Sequence, residues 1–376
     1  MAFYRHFIER NDFEIRVATN CENFPSDSVP YHPVFFRNTR LTRRLFHTRL
    51  MPWLYGPHSL TAFGRVPRVV WRAVEEFEPD VVFTIAGSWD YSALVAERVA
   101  RRLNVPLVAS FNDWFSYGGM LAHPIYHRWI EKRFRRFYRE ADLALCTCEG
   151  MHEALGPHPN AHVLYPMGAL LPDAGAPFKA FTGHNRPFGV AFAGSIGDWY
   201  GPMLERLVRA AETQNAAVKF QFFGSLAAWS QEFDLYARRS GIYRGQLAFD
   251  KLREAMREVD ALILPMGFEE RAAVVERTSF KTKFLDYLSY QKPVLVWGPE
   301  YCSAVRVARE FDSAEICTEP DAPAFLSKIL MVRDSPNRRM ALVQNAYKMY
   351  ESRFNPDKIH NGLVSKIRET IEAFHN

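Results

Sequence analysis

Long apolar runs, paired cysteines and, over one long stretch, acidic residues are missing from this sequence. No run reaches the roughly twenty apolar residues that a helix needs to cross a bilayer, and no signal-peptide pattern opens the chain. The expectation is therefore a cytoplasmic globular protein. The five cysteines (Cys21, Cys146, Cys148, Cys302, Cys317) are scattered, without metal-ligand spacing, and read as buried thiols in a reducing compartment. From Ser28 through Val74 there is no Asp or Glu, while Arg37, Arg40, Arg43, Arg44, Arg49, Arg65, Arg68 and Arg72 lie within, interleaved with aromatic residues. A second basic run, Arg128 to Arg139, sets five arginines and Lys132 against Glu131 alone. Residues 35–72 and 128–139 together predict a surface for an anionic membrane or an anionic acceptor, peripheral at the inner membrane face. The alternative is a solvated helix face with packing arginines.

What is present is a repeated alternation. With 376 residues and a 48% hydrophobic share, the chain is long enough for two domains with large cores. Strand patterns at 81–85, 106–110 and 143–147 alternate with helix patterns at 67–77, 91–103 and 124–140. Between Tyr165 and Pro187, Pro and Gly punctuate a segment with little capacity for a core. A second alternation follows, with strands at 189–193, 220–223, 242–245 and 261–264, a loop at 267–276, and closing helices at 336–353 and from 356. The fold class predicted is α/β, with two doubly wound parallel sheets. The domains are 1–168 and 186–355, joined by a linker at 169–185.

The most informative stretch is Thr278 to Gly298. Phe280, Phe284, Leu285 and Leu288 fall on one side of a helix that Thr278 or Ser279 would cap, and Val294 to Trp297 reads as a buried strand. Arg277, Lys281 and Lys283 crowd the amino end of that helix, where unpaired N–H groups already form a positive pole. Cations there call for an anion, and phosphate is the usual one. Solvated basic side chains are the plainer alternative.

Residues 279–299 resemble the nucleotide-sugar signature of family 4 glycosyltransferases with the GT-B fold, S-x-P-x-K-x-x-E-Y-x-x-x-G-K-P-V. Lys283 takes the Lys position, Asp286-Tyr287 the Glu-Tyr pair and Lys292-Pro293-Val294 the Lys-Pro-Val. Lys281, Asp286 and Gln291 depart from the family's Pro, Glu and Gly, and Thr278 stands where many relatives carry a further Glu. The resemblance implies two Rossmann-like domains facing a cleft, with the last helix, 356–376, packing back on the first. It also implies that the first strand of the amino-terminal domain is missing, the chain beginning inside its first helix. The activity implied is transfer of a sugar, with retention, from a nucleotide-diphosphate donor to a glycan or lipid-linked acceptor.

Candidate residues follow from the ends of strands, where open α/β sheets bind ligands. Gly194, Ser195 and Gly197 form a turn that can bring bare backbone to a phosphate. Arg244 and Gly245 lie where the resemblance places the nucleotide base. Asp286 would take the ribose hydroxyls, or else pair with Lys283 one helical turn away. With Arg277, Thr278, Ser279, Phe280 and Lys281 these make up the expected donor site. Asn112, standing for the family's His, and Asp113 are the catalytic candidates of the first domain, with Lys283 stabilising the leaving phosphate. Asp90, in Gly87-Ser88-Trp89-Asp90, reads more simply as a helix cap. No convincing Asp-x-Asp pair is present, so neither a metal nor any other cofactor is expected, and no nucleic acid. Two alternatives stay open: a weakened GT-B protein that binds without turnover, and a GT-B nucleotide-sugar epimerase.

Overall fold

The computed structural model describes residues 2–19, 29, 31–33, 48–61, 66–86, 91–114, 122–169, 171, 186–197, 199–225 and 227–376. It divides into two units, Met1–Pro166 with Asp357–Asn376, and Met167–Pro356. Most of the expected linker, the loop at 87–90, Cys21 and part of the basic stretch at 35–72 lie outside the described residues.

The first unit opens with helix α1 (Ala2–Phe7) and a small parallel pair, β1 (Val17–Thr19) with β2 (Tyr31–Pro33). Helices α2 (Met51–Thr61) and α3 (Arg68–Phe77) precede the main sheet. That sheet is β3 (Val82–Ile85), β4 (Leu107–Phe111), β5 (Leu143–Cys146) and β6 (Ala161–Val163), parallel and in sequence order. Helices α4 (Tyr91–Leu103), α5 (His127–Glu140) and α6 (Glu149–Leu155) make the crossovers. Strand β1 is only three residues long and belongs to the small pair, apart from the main sheet. Strands β4 and β5 are buried along their whole length, as a parallel sheet covered on both faces requires. One of those faces is covered by the chain's last helix: its Leu363 and Ile367 pack on Val108, Leu143 and Leu145.

In the second unit six parallel strands run in the order β12-β11-β10-β7-β8-β9. They are β7 (Phe188–Ala193), β8 (Val218–Phe223), β9 (Tyr243–Gly245), β10 (Ala261–Pro265), β11 (Val294–Trp297) and β12 (Glu315–Cys317). The intervening helices are α7 (Tyr200–Thr213), α8 (Gln231–Arg239), α9 (Phe249–Glu258), α10 (Glu270–Thr278), α11 (Thr282–Leu288) and α12 (Ser303–Phe311). Three more close the chain, α13 (Ala322–Asp334), α14 (Pro336–Met349) and α15 (Pro356–His375). Trp297 sits in the core, stacked on Phe325 at 4.7 Å, and its indole N–H donates to the Glu319 carbonyl at 2.7 Å. A buried indole without such a partner would leave an unmet donor.

The order of strands locates the site before any side chain does. The chain leaves β7 to one side for β8 and β9, then returns to the other side for β10, β11 and β12. The reversal lies between β7 and β10, and ligands of open α/β sheets bind at the carboxyl ends beside such a reversal.

Two local expectations are corrected here. Residues 267–276 are not a loop: α10 occupies most of that span. Thr278 and Ser279 do not cap the following helix but end α10. The Thr278 hydroxyl donates back to the Val274 carbonyl at 2.7 Å, and the Ser279 N–H donates to Val275 at 2.9 Å. The basic helix therefore starts only at Thr282, with Lys281 in the capping position and no side-chain cap.

Candidate functional site

At the carboxyl edge of the second sheet, five strands end at or just before a glycine: Gly194, Gly224, Gly245, Gly267 and Gly298. Two of them have close neighbours at a positive φ. Gly194 and Gly224 both have positive φ, 151° and 149°, and a Cβ on Gly224 would overlap the Gly194 carbonyl oxygen. The Gly194 N–H donates to Phe223 at 2.8 Å and that of Gly224 to Gly245 at 2.9 Å, which ties the ends of β7, β8 and β9 together. The result is a rim of bare backbone beside the topological reversal.

Helix α11 lays its side chains across this rim. Tyr287 exchanges hydrogen bonds with the backbone of Ala193, accepting from its N–H at 2.9 Å and donating to its carbonyl at 3.2 Å. Lys283, four residues earlier and so on the same helical face, lies over the next residue, Gly194. A Cβ on Gly194 would collide with the Lys283 ammonium. That ammonium sits 5.2 Å from the Phe192 ring and, among the described residues, has no carboxylate partner. Burial, with help from nearby Lys281, lowers its pKa from the ordinary 10.5 to about 8. A half-buried cation without an internal counter-ion is the electrostatic mark of an anion site.

The other two cations behave differently. Lys281 pairs at 2.8 Å with Glu276, which is fully buried. Glu276 also accepts from the Tyr200 hydroxyl at 2.8 Å and from the Gly267 N–H at 3.2 Å. Burial alone would lower the pKa of Lys281, but the charge of Glu276 and the hydrogen bonds to Glu276 and Tyr200 together raise it. Lys281 is thus neutralised from within. Arg277 is exposed at the end of α10, its guanidinium 5.0 Å from the ring of Tyr301.

The remaining donor-site candidates divide in the same way. Thr278 and Ser279 are buried at the turn between α10 and α11, and Phe280 is a core side chain against Phe354, ring centroids 5.4 Å apart. Asp286 accepts the Ala169 N–H at 2.9 Å, so this carboxylate also anchors the chain entering the second unit; no ion pair joins it to Lys283. Ser195 is exposed beside the rim, and the Gly197 carbonyl accepts from Tyr200 and Gly201, opening α7. Asp198 lies outside the described residues. Arg244 is exposed on the edge strand β9, next to Gly245 with φ 68°.

Residues 8–167 match the family model described as a glycosyl transferase 4-like domain. Solved structures share the fold. HepE from Anabaena, in complex with UDP, superposes with a TM-score of 0.61 at 13% identity, over 82% of this chain and 84% of that one. Sucrose-phosphate synthase from Thermosynechococcus elongatus gives 0.60 at 13% identity, over 93% and 82%. The lipopolysaccharide outer core galactosyltransferase WaaB gives 0.54 at 14%, over 92% and 85%. A comparison with curated protein sequences finds no match.

The chain has the GT-B fold.

In the first unit of this GT-B chain, Asn112 and Asp113 follow β4 directly. The Ser110 hydroxyl donates to the Asn112 side-chain oxygen at 3.1 Å, holding the amide near the strand end, and Asp113 is exposed. Three further residues shape the site, of which the sequence had marked only Tyr287, as part of the signature. Glu276 and Tyr200 form the network that consumes Lys281, and Tyr287 fixes the register of Lys283. The i, i+4 spacing of Lys283 and Tyr287 was visible, but a buried Glu three residues before the motif gives no periodic signal.

Proposed function

We propose that the chain transfers a sugar from a nucleoside-diphosphate donor to a glycan or lipid-linked acceptor, with retention and without a metal. Lys283 and the glycine rim receive the diphosphate. The observation that carries this reading is the half-buried Lys283 ammonium, unpaired among the described residues and held over Gly194 at the topological reversal. When the bond between anomeric carbon and phosphate oxygen breaks, charge grows on the β-phosphate; a cation fixed there in advance stabilises it. Asp286 takes the ribose hydroxyls and Arg244-Gly245 the base. On the first unit, Asn112 contacts the donor sugar and Asp113 is the acid–base or sugar-hydroxyl group. HepE has been solved with UDP and with UDP-glucose, and a TarM variant with UDP beside a GlcNAc-glycerol, which supports a uridine donor and a glycan acceptor. Retention rests on the family resemblance alone.

A second reading, nucleotide-sugar binding without turnover, draws on the Glu276–Lys281 pair, which withdraws one of the expected cations from the diphosphate. Radiolabelled UDP-glucose incubated with the purified chain in excess chelator separates the two. Release of sugar and UDP in step supports the transferase; binding with no release supports the second reading. A strict need for divalent metal contradicts the proposed chemistry.

A further inference from the structure

The first unit carries a cluster of exposed apolar side chains on α2 and the turn before it, on α5 and on the 3-10 turn Pro124–Tyr126. Leu50, Trp53, Ile125 and Trp129 are 56%, 46%, 50% and 55% exposed. They form one patch: Trp53 stacks on His123 at 3.9 Å, and Tyr126 bridges to Trp53 at 6.4 Å and Trp129 at 6.0 Å. Gly56 permits this, because a Cβ there would fall on the Tyr126 ring, and the His123 N–H donates to Pro52 at 2.9 Å.

The charges beside the patch have one sign. Arg49, Arg128 and Lys132 are exposed and, among the described residues, none has a carboxylate partner; Arg139 continues the row along α5. The other arginines of α5 are engaged inside the unit. Arg133 is buried, Arg135 pairs with Glu131 at 3.0 Å, and Arg136 lies 3.4 Å from Glu140. Glu131, the one acid expected to offset this run, is thus neutralised by Arg135.

We propose that this face docks on an anionic lipid bilayer, with Trp53, Trp129, Leu50 and Ile125 entering the interfacial layer and Arg49, Arg128 and Lys132 meeting the phosphates. Amphipathic indoles beside unpaired cations suit that layer, where the ring is half buried and headgroup charge is negative. The inference stands apart from the donor site, since neither Lys283 nor the rim takes part.

The test is co-sedimentation of the whole chain with phosphatidylcholine vesicles, with and without phosphatidylglycerol. Binding is expected only with phosphatidylglycerol and weakens as salt rises. Each cation near such a surface contributes about fivefold, so Arg128→Gln with Lys132→Gln lowers the partition coefficient by about 25-fold. Lys219→Gln with Arg239→Gln removes the same charge from exposed positions on the second unit, without a carboxylate partner among the described residues, and changes it less than about twofold. Trp53→Ala with Trp129→Ala removes the binding that survives high salt. An equal loss in the two charge pairs, or no vesicle binding, overturns the proposal. Capture on polyglutamate without vesicle binding also overturns it, pointing to an acidic protein.

Discussion

Replacing Lys283 by Met keeps an unbranched stem of similar length and removes the charge. In the free protein that charge opposes folding. Burial and the neighbouring Lys281 bring its pKa from 10.5 to about 8, a displacement worth on the order of 3 kcal/mol. The sign follows from proton counting: between pH 8 and 10.5 the unfolded chain holds a proton that the folded chain has lost. Wild-type stability therefore rises with pH across that window, and the rise should be missing in Lys283→Met. At neutral pH the variant should be more stable by about 2 kcal/mol, allowing for partial solvation of the ammonium. Binding should move the opposite way. Loss of a charge-assisted hydrogen bond of about 2 kcal/mol weakens UDP roughly 30-fold. In the wild type, UDP affinity should fall as pH rises above about 8, with a proton taken up on binding. Urea melts at several pH values and titration calorimetry measure both. A variant that is less stable at neutral pH and binds UDP like the wild type would show that Lys283 is only a structural group.

Other substitutions test the surroundings of the site. Gly224→Ala sets a Cβ against the Gly194 carbonyl at a left-handed φ and should destabilise by at least about 3 kcal/mol in denaturant melts. Gly194→Ala meets the movable end of Lys283 instead; a loss of only about 1–2 kcal/mol should accompany near-complete loss of UDP binding by calorimetry. Glu276→Gln leaves Lys281 buried and unpaired and should lower stability by about 3 kcal/mol or more, with Lys281→Met in the same background recovering part of it. Gln291 holds φ 53° where the family pattern has glycine, so Gln291→Gly should raise the melting temperature through a gain of about 0.5 kcal/mol.

The architecture was legible because parallel strands buried on both faces leave continuous apolar runs, as in Val294 to Trp297 and Leu143 to Cys146. Helices with long apolar faces were equally clear, and α4 has the expected limits. The start of the basic helix was misread because Thr278 and Ser279 serve a helix end as readily as a beginning, and a back-bond to Val274 decided it. The charge cluster was misjudged for a different reason. Counting cations along a chain treats each as free, whereas Glu276, buried at the end of α10, reaches Lys281 from outside the motif. Lys283 could be told apart from Arg277 and Lys281 only in three dimensions, since its lack of a carboxylate partner among the described residues depends on the fold around it. The same holds for the basic run at 128–139, where sequence shows six cations and the fold leaves Arg128, Lys132 and Arg139 unpaired among the described residues.

The claim on which the account rests is that a diphosphate completes the electrostatics of Lys283. Diffraction from crystals grown with UDP tests it most directly. Phosphate density is expected within hydrogen-bonding reach of the Lys283 ammonium and the backbone after Ala193. UDP bound elsewhere, or a Lys283 side chain turned away onto a protein carboxylate, would contradict it.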